Sequence, residues 1–176
     1  EGAETIVQEA RAIKSLVDEF SNFARLPIIR LEPADIHEVI KGTVSLFKDI
    51  FAEITFETKL SSKVPSAIQL DPEKMKRVFI NIMDNAIDAM DKKGKIKIQS
   101  SFDDLNQMVK IDIWDTGPGI SLEDKEKLFL PHFSTKKKGT GLGLAIVHQI
   151  ISEHNGTIVV ENIKPHGAKF IIQVPT

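Results

Sequence analysis

Asn81, Asn85 and Asp88 stand at steps of four and three residues, a spacing that puts all three on one face of a helix. Their neighbours Ile82, Met83, Ala86 and Ala89 are apolar, so the polar face is narrow. Asparagine is a poor helix former and needs a reason to recur inside one. An amide oxygen can complete the shell of a hard cation such as Mg²⁺, which keeps water and phosphate as its other ligands. A solvated helix face explains the same spacing equally well. Asp115-Thr116-Gly117-Pro118-Gly119-Ile120 ends a run of alternating residues. An ionised carboxylate only accepts hydrogen bonds, so it suits an amino group such as that of adenine, and the glycines let a flat ligand approach the backbone. A plain turn is written with the same residues.

Two further segments follow. Phe129 and Phe133 flank Pro131 and could anchor a mobile loop, Ser134 to Thr140, whose Lys136, Lys137 and Lys138 could meet phosphate. A lysine run is also the ordinary composition of a solvated loop. Gly139-Thr140-Gly141-Leu142-Gly143-Leu144 opens a helix. Free backbone N–H groups and the helix dipole make such a start an anion site. It is not a dinucleotide fingerprint, because no strand precedes it, and it is not a P-loop, because no Gly-Lys-Ser/Thr ends it.

These residues need elements to hold them. Residues 3–25 read as one helix: Ile6, Ile13 and Phe20 recur every seven residues, and Leu16 and Phe23 form the adjoining seam. Nothing close in sequence can cover that stripe, which predicts a partner helix, a second chain, or packing on the domain that follows. Pro27 stops the helix, and the segment to Pro33 reads as a linker. Asp35 and Glu38 form a capping box for a helix with Ile36, Val39, Ile40, Thr43, Phe47 and Ile50 inward. Ile54, Phe56, Thr58 and Leu60 alternate as a strand. Asp71-Pro72 starts a helix to about Met90, with Met75, Val78, Phe79, Ile82, Met83, Ala86 and Ala89 inward. Residues 95–102 and 108–115 alternate as strands, and a short helix starts at Ser121. A helix from Gly141 to His154 ends at Asn155-Gly156, and residues 157–161 and 168–174 close as a hairpin. This order lacks a regular βαβ period and predicts an α/β sandwich: one mixed sheet with helices on one face.

Composition sets limits. Of 176 residues, 41% are hydrophobic and 27% charged, with a formal net charge of -2, which argues against a nucleic-acid surface. Cysteine is absent, so disulfides and thiolate metal sites are excluded, in keeping with a reducing cytosol. No apolar run approaches the roughly 20 residues needed to cross a bilayer.

The order of the four segments is specific where each alone is not. Together they resemble the N, G1, F and G2 boxes of the sensor histidine kinase ATP-binding domain. Val17 to Arg25 and Phe133-Ser134-Thr135-Lys136 look most like the nitrogen-regulation branch. The resemblance implies the Bergerat fold, a two-layer α/β sandwich preceded by one long α-helix, with ATP or ADP and Mg²⁺ bound between the amide-bearing helix and a lid. Carried over by position, Asn85 would bind the metal and Asn81 would lie beside the phosphates, the two forming the catalytic pair. Asp115 would take the adenine amino group, next to Gly117 and Gly119. Gly139, Gly141 and Gly143 would present backbone to phosphate. Asp88, Ile120, Phe133, Thr135, Lys136, Thr140, Leu142 and Leu144 would complete the nucleotide-binding set.

In the family the phosphoryl acceptor is a histidine in a His-Glu/Asp-x-x-x-Pro pattern. Only His37 is followed by an acid, Glu38, and Gly42 stands where proline belongs. His37 therefore reads as a surface or cap residue. The expected division is residues 1–26 as the second helix of a dimerisation element whose first, histidine-bearing helix is missing, 27–33 as a linker, and 34–176 as the catalytic domain. The implied partners are that absent helix, a response-regulator receiver domain and a second copy of the kinase. The implied place is the cytoplasm, with a membrane anchor compatible with the parent protein. Two rival classes are a hydrolysing ATPase or protein-serine kinase of the same superfamily, and a module that only binds nucleotide. The hydrolysing relatives carry a glutamate where Asn81 stands, and an amide cannot take a proton from water.

Overall fold

The computed structural model describes residues 29–134 and 140–176, together with Val7 and Ala10. Val7 and Ala10 are helical and exposed, and the rest of the expected N-terminal helix lies outside the described residues. None of the described helices is long and apolar enough to cross a membrane.

The described residues form seven strands, β1 (Glu32–Ala34), β2 (Ile54–Lys59), β3 (Ile68–Leu70), β4 (Gly94–Asp103), β5 (Met108–Asp115), β6 (Thr157–Asn162) and β7 (Ala168–Pro175). Four described helices accompany them: α1 (Ile36–Ile50), α2 (Pro72–Ala89), α3 (Leu122–Lys127) and α4 (Gly143–Glu153). Five strands form a sheet in the order β2-β4-β5-β7-β6, parallel between β2 and β4 and antiparallel elsewhere. Its period-two pattern buries Ile96 and Ile98, Ile111 and Ile113, and Phe170 and Ile172 under the helices. The two-layer sandwich expected from the sequence is thus the observed fold.

The opposite face carries a row that crosses all five strands in register: Glu57, Lys97, Trp114, Lys169 and Glu161. Lys97 Nζ lies 5.1 Å and Lys169 Nζ 5.7 Å from the Trp114 ring centroid.

Helix ends follow local chemistry. Asp71 caps α2 by accepting the Lys74 N–H at 3.0 Å, with Pro72 behind it. Ser121 caps α3 through the Asp124 N–H at 3.1 Å. Asp35 caps α1 through the His37 N–H at 2.7 Å, but Glu38 does not complete a capping box, because its carboxylate pairs with Lys41 at 2.9 Å.

Several expectations need correction. The linker assigned to residues 27–33 runs into a strand. β1 pairs antiparallel with β3 as a separate two-stranded sheet, where Pro33 is tolerated because this short ribbon is all edge. Ile50 is 71% exposed, and Val44 takes the inward place on α1. Ala89 is exposed rather than inward, while Ile87 is buried. α4 starts at Gly143, not Gly141, because Gly141 has φ +69 and cannot be helical. His37 is half-buried, and its Nε2 bonds Ser100 Oγ at 2.9 Å, so it is tied into the fold as well as sitting in the first turn of α1.

Candidate nucleotide site

A cleft of about 300 Å³ opens between α2, the turn after β5, α3 and the start of α4, with Ala168 and Phe170 of β7 as its floor. Of the residues expected from sequence, Asn81, Asn85, Asp115, Gly119, Ile120, Phe133, Thr140, Gly141, Gly143 and Leu144 line it together. Asp88, Gly117 and Leu142 do not. The cleft crosses α2 obliquely, so in the last turn it meets Ala89 rather than Asp88. Gly117 is buried behind Asp115, and Leu142 is 1% exposed in the core. Thr135, Lys136 and Gly139 lie outside the described residues.

One end of the cleft is a carboxylate. Asp115 ends β5 on the helix-covered side and is 4% exposed. Its Oδ1 accepts the Gly117 N–H at 2.8 Å and the Ala168 N–H at 3.2 Å. Oδ2 has no partner among the described residues and is the atom left for the cleft. Burial raises the Asp115 pKa above its ordinary 3.8, and the two N–H groups pull it partly back. Gly167, with φ +126, closes against the Asp115 carbonyl, where any Cβ would clash.

The other end is built from amides. Asn85 Nδ2 donates to the Asn81 carbonyl one turn earlier at 2.9 Å, which turns Oδ1 away from the helix backbone. Asn81 Nδ2 is buried and unpartnered among the described residues. Facing both is Gly143: a Cβ there would stand 3.5 Å from Asn81 Oδ1 and 4.0 Å from Asn85 Nδ2. Leu142 holds the N-cap of α4 and has no side-chain oxygen, so the first N–H groups of α4 carry no cap bond. This start therefore keeps the donors and dipole that favour an anion. Gly141 makes it possible, since a Cβ would come within 2.5 Å of the His132 carbonyl carbon.

Sequence reasoning missed several wall residues. Asp84 follows from Asn81 at helical spacing, but Asp124, Leu128, Ala168 and Phe170 come from elements whose approach to α2 is a tertiary fact. It also missed Asn162. That side chain accepts the Ile120 N–H at 2.9 Å and donates to the Ile120 carbonyl at 2.7 Å. Phe129 is anchored as expected: it packs on the core, with its ring 5.5 Å from that of His148 on α4.

A buried carboxylate at one end and two amides facing an uncapped helix start at the other make this cleft the candidate site of the α/β sandwich. Residues 70–176 match the family described as histidine kinase-, DNA gyrase B-, and HSP90-like ATPase, and the chain belongs to that family. Within it, sequence and fold are those of the catalytic domain of sensor histidine kinases. Sensor histidine kinase ZraS of Escherichia coli O157:H7 is 33% identical over 98% of this chain, which spans 38% of that protein. Nitrogen regulation protein NtrY of Azorhizobium caulinodans is 35% identical over 93% of this chain and 22% of its own length, so the nitrogen-regulation branch is one among several that match. Among solved structures, full-length ShkA in complex with AMPPNP superposes with a TM-score of 0.81 at 28% identity, over 97% of this chain and 37% of ShkA. Histidine kinase ThkA in complex with the response regulator TrrA gives 0.78 at 31% identity, over 97% of this chain and 49% of that one.

Proposed function

We propose that the cleft binds ATP with adenine at Asp115 and the phosphates between Asn81, Asn85 and the start of α4. The γ-phosphoryl group then passes to a histidine on a dimerisation helix of the kinase, for relay to a response-regulator aspartate. The polarity of the cleft carries this reading: a carboxylate oxygen without a partner among the described residues at one end, and two amides against an uncapped helix start at the other. The AMPPNP bound by ShkA and the TrrA bound by ThkA support the nucleotide and the regulator as partners. The proposed binding set is the part of the sequence reading that lines the cleft, together with Thr135, Lys136 and Gly139; residues 1–26 are proposed as the second dimerisation helix of a homodimer, with the cleft on the cytoplasmic side.

Mg²⁺ fits the donor set. The ion needs few protein ligands when nucleotide and water supply the rest, and Asn85 Oδ1 is a hard oxygen held in place by its own Nδ2. Among the described residues no group of three His, Asp or Glu side chains could hold an ion unaided, so the metal would arrive with the nucleotide. When bound it would balance phosphate charge. The chain's own residues orient the phosphates and exclude water. Asn81 offers no base to activate water, which favours transfer over hydrolysis.

The test is calorimetric titration of ATP and ADP with and without Mg²⁺. Metal-dependent binding is expected, and Asn85→Ala should lose most of that dependence with its circular dichroism unchanged. Metal-indifferent binding by the wild type removes the role of Asn85. No affinity for either nucleotide removes the whole reading. Adding a separate histidine-bearing dimerisation helix with labelled ATP should place acid-labile phosphate on that helix.

A further inference from the structure

We infer that Asn162 is a positioning residue for the adenine end of the cleft, holding the backbone of the Gly117 to Ile120 turn from the β6–β7 hairpin. This rests on the nucleotide reading above. An exposed asparagine at a strand end ordinarily spends its amide on water. Here both polar ends are committed to one residue: Oδ1 accepts the Ile120 N–H at 2.9 Å and Nδ2 donates to the Ile120 carbonyl at 2.7 Å. The amide thus reproduces, from a side chain, the paired bonds that a neighbouring strand would make. The contact is close on both sides. Gly119 has φ +82, and a Cβ there would stand 3.0 Å from Asn162 Oδ1.

The same hairpin grips the other end of the turn. His166 Nδ1 lies 3.2 Å from the Gly117 carbonyl, and since a carbonyl only accepts, that nitrogen carries the proton. Between the two grips, the Ala168 N–H braces Asp115 Oδ1 and Gly167 closes on the Asp115 carbonyl. The turn that supplies Asp115, Gly119 and Ile120 to the cleft is therefore set by residues 162–168, far away in sequence. Asn162 makes no hydrogen bond to the phosphate end at Asn81, Asn85 or Gly143. Losing it should affect recognition of the base and leave recognition of phosphate alone.

Two exposed backbone bonds of this kind, lost together, predict roughly a 3–10-fold rise in the Kd for ATP. The experiment compares wild type, Asn162→Ala and Asn162→Asp, with Asp115→Asn in parallel, for binding of ATP and of tripolyphosphate in the presence of Mg²⁺. Asn162→Asp keeps the acceptor for the Ile120 N–H but sets a carboxylate oxygen against the Ile120 carbonyl, so it should weaken ATP at least as much as alanine does. Tripolyphosphate binding should stay at its wild-type value in both variants, and the melting temperature of the free protein should fall by no more than roughly 2–4 °C. Weakening of ATP and tripolyphosphate by the same factor, or a lowered melting temperature that accounts for the loss, makes Asn162 a fold residue and overturns the inference. So does ATP binding unchanged by Asn162→Ala while Asp115→Asn is impaired. A wild-type chain without affinity for ATP overturns the nucleotide reading, and this inference with it.

Discussion

The backbone N–H of Asp71 donates to Nε2 of His154 at 3.0 Å, joining the N-terminus of α2 to the C-terminus of α4. Because an N–H is the donor, Nε2 must be the acceptor and the ring proton sits on Nδ1, which lies 2.8 Å from the Ile150 carbonyl. His154 is 3% exposed and Asp71 9%, so the bond is dry. The helix that carries the two amides and the helix whose uncapped start faces them are pinned together at their far ends.

Replacing His154 with phenylalanine keeps the volume and strands the Asp71 N–H. A buried donor without a partner costs about 1–3 kcal/mol. The urea midpoint should fall by that energy divided by the slope, with the slope itself unchanged. An unmoved midpoint would mean that the bond contributes nothing net.

Asp115 couples stability and binding in opposite senses. Its raised pKa means that the folded state holds the proton more tightly than the unfolded chain does. The ionised carboxylate therefore costs stability at neutral pH, and the cost fades as pH falls through the folded value. Asp115→Asn removes the charge, while its amide oxygen still accepts from Gly117 and Ala168, so the free variant should be at least as stable as wild type at pH 7. Its ATP affinity should fall by about one to two decades, since an amide NH₂ facing the adenine NH₂ leaves two donors opposed, at about 1–3 kcal/mol. On acidification, wild-type affinity should decline from a pH above that of an ordinary carboxylate, and the gap to Asp115→Asn should narrow. Normal ATP binding by Asp115→Asn would falsify the adenine assignment.

The histidines of this chain should take no phosphate. His37 Nε2 is bound to Ser100, His154 uses both ring nitrogens, and His166 Nδ1 is held by the Gly117 carbonyl. His148 packs its ring on Phe129. Incubation with labelled ATP and Mg²⁺ should leave the chain free of acid-labile label. Label mapped to any of its five histidines would show that the acceptor lies within this chain.

What the sequence made legible was whatever depends on local spacing. The alternation of β4, β5 and β7, the Asp71-Pro72 start of α2, and the meeting of Asn81 with Asn85 all follow from periods of two or four residues. β1 and β3 stayed hidden, because a three-residue strand is too short to show a period and Pro33 argued against one. Asp88 was placed by helical angle alone, which ignores the oblique path of the cleft. Asn162 and Gly167 act through contacts more than forty residues away, at Ile120 and Asp115, and no pattern along the chain marks them.

The alternation that turns Asp115 toward the helices turns Trp114 to the open face, where it stands between Lys97 and Lys169. It is the sole tryptophan of the chain. The molecule thus carries an optical probe one residue behind the carboxylate and on the far side of the sheet, where a bound base cannot stack on it. A change in its emission on adding nucleotide reports movement of the β5 backbone, of the two ammonium groups beside the ring, or of the 163–166 segment that shares its surface pocket. Collisional quenchers in solution still reach the indole from the open face, so emission can separate a ligand that merely fills the cleft from one that shifts the strand.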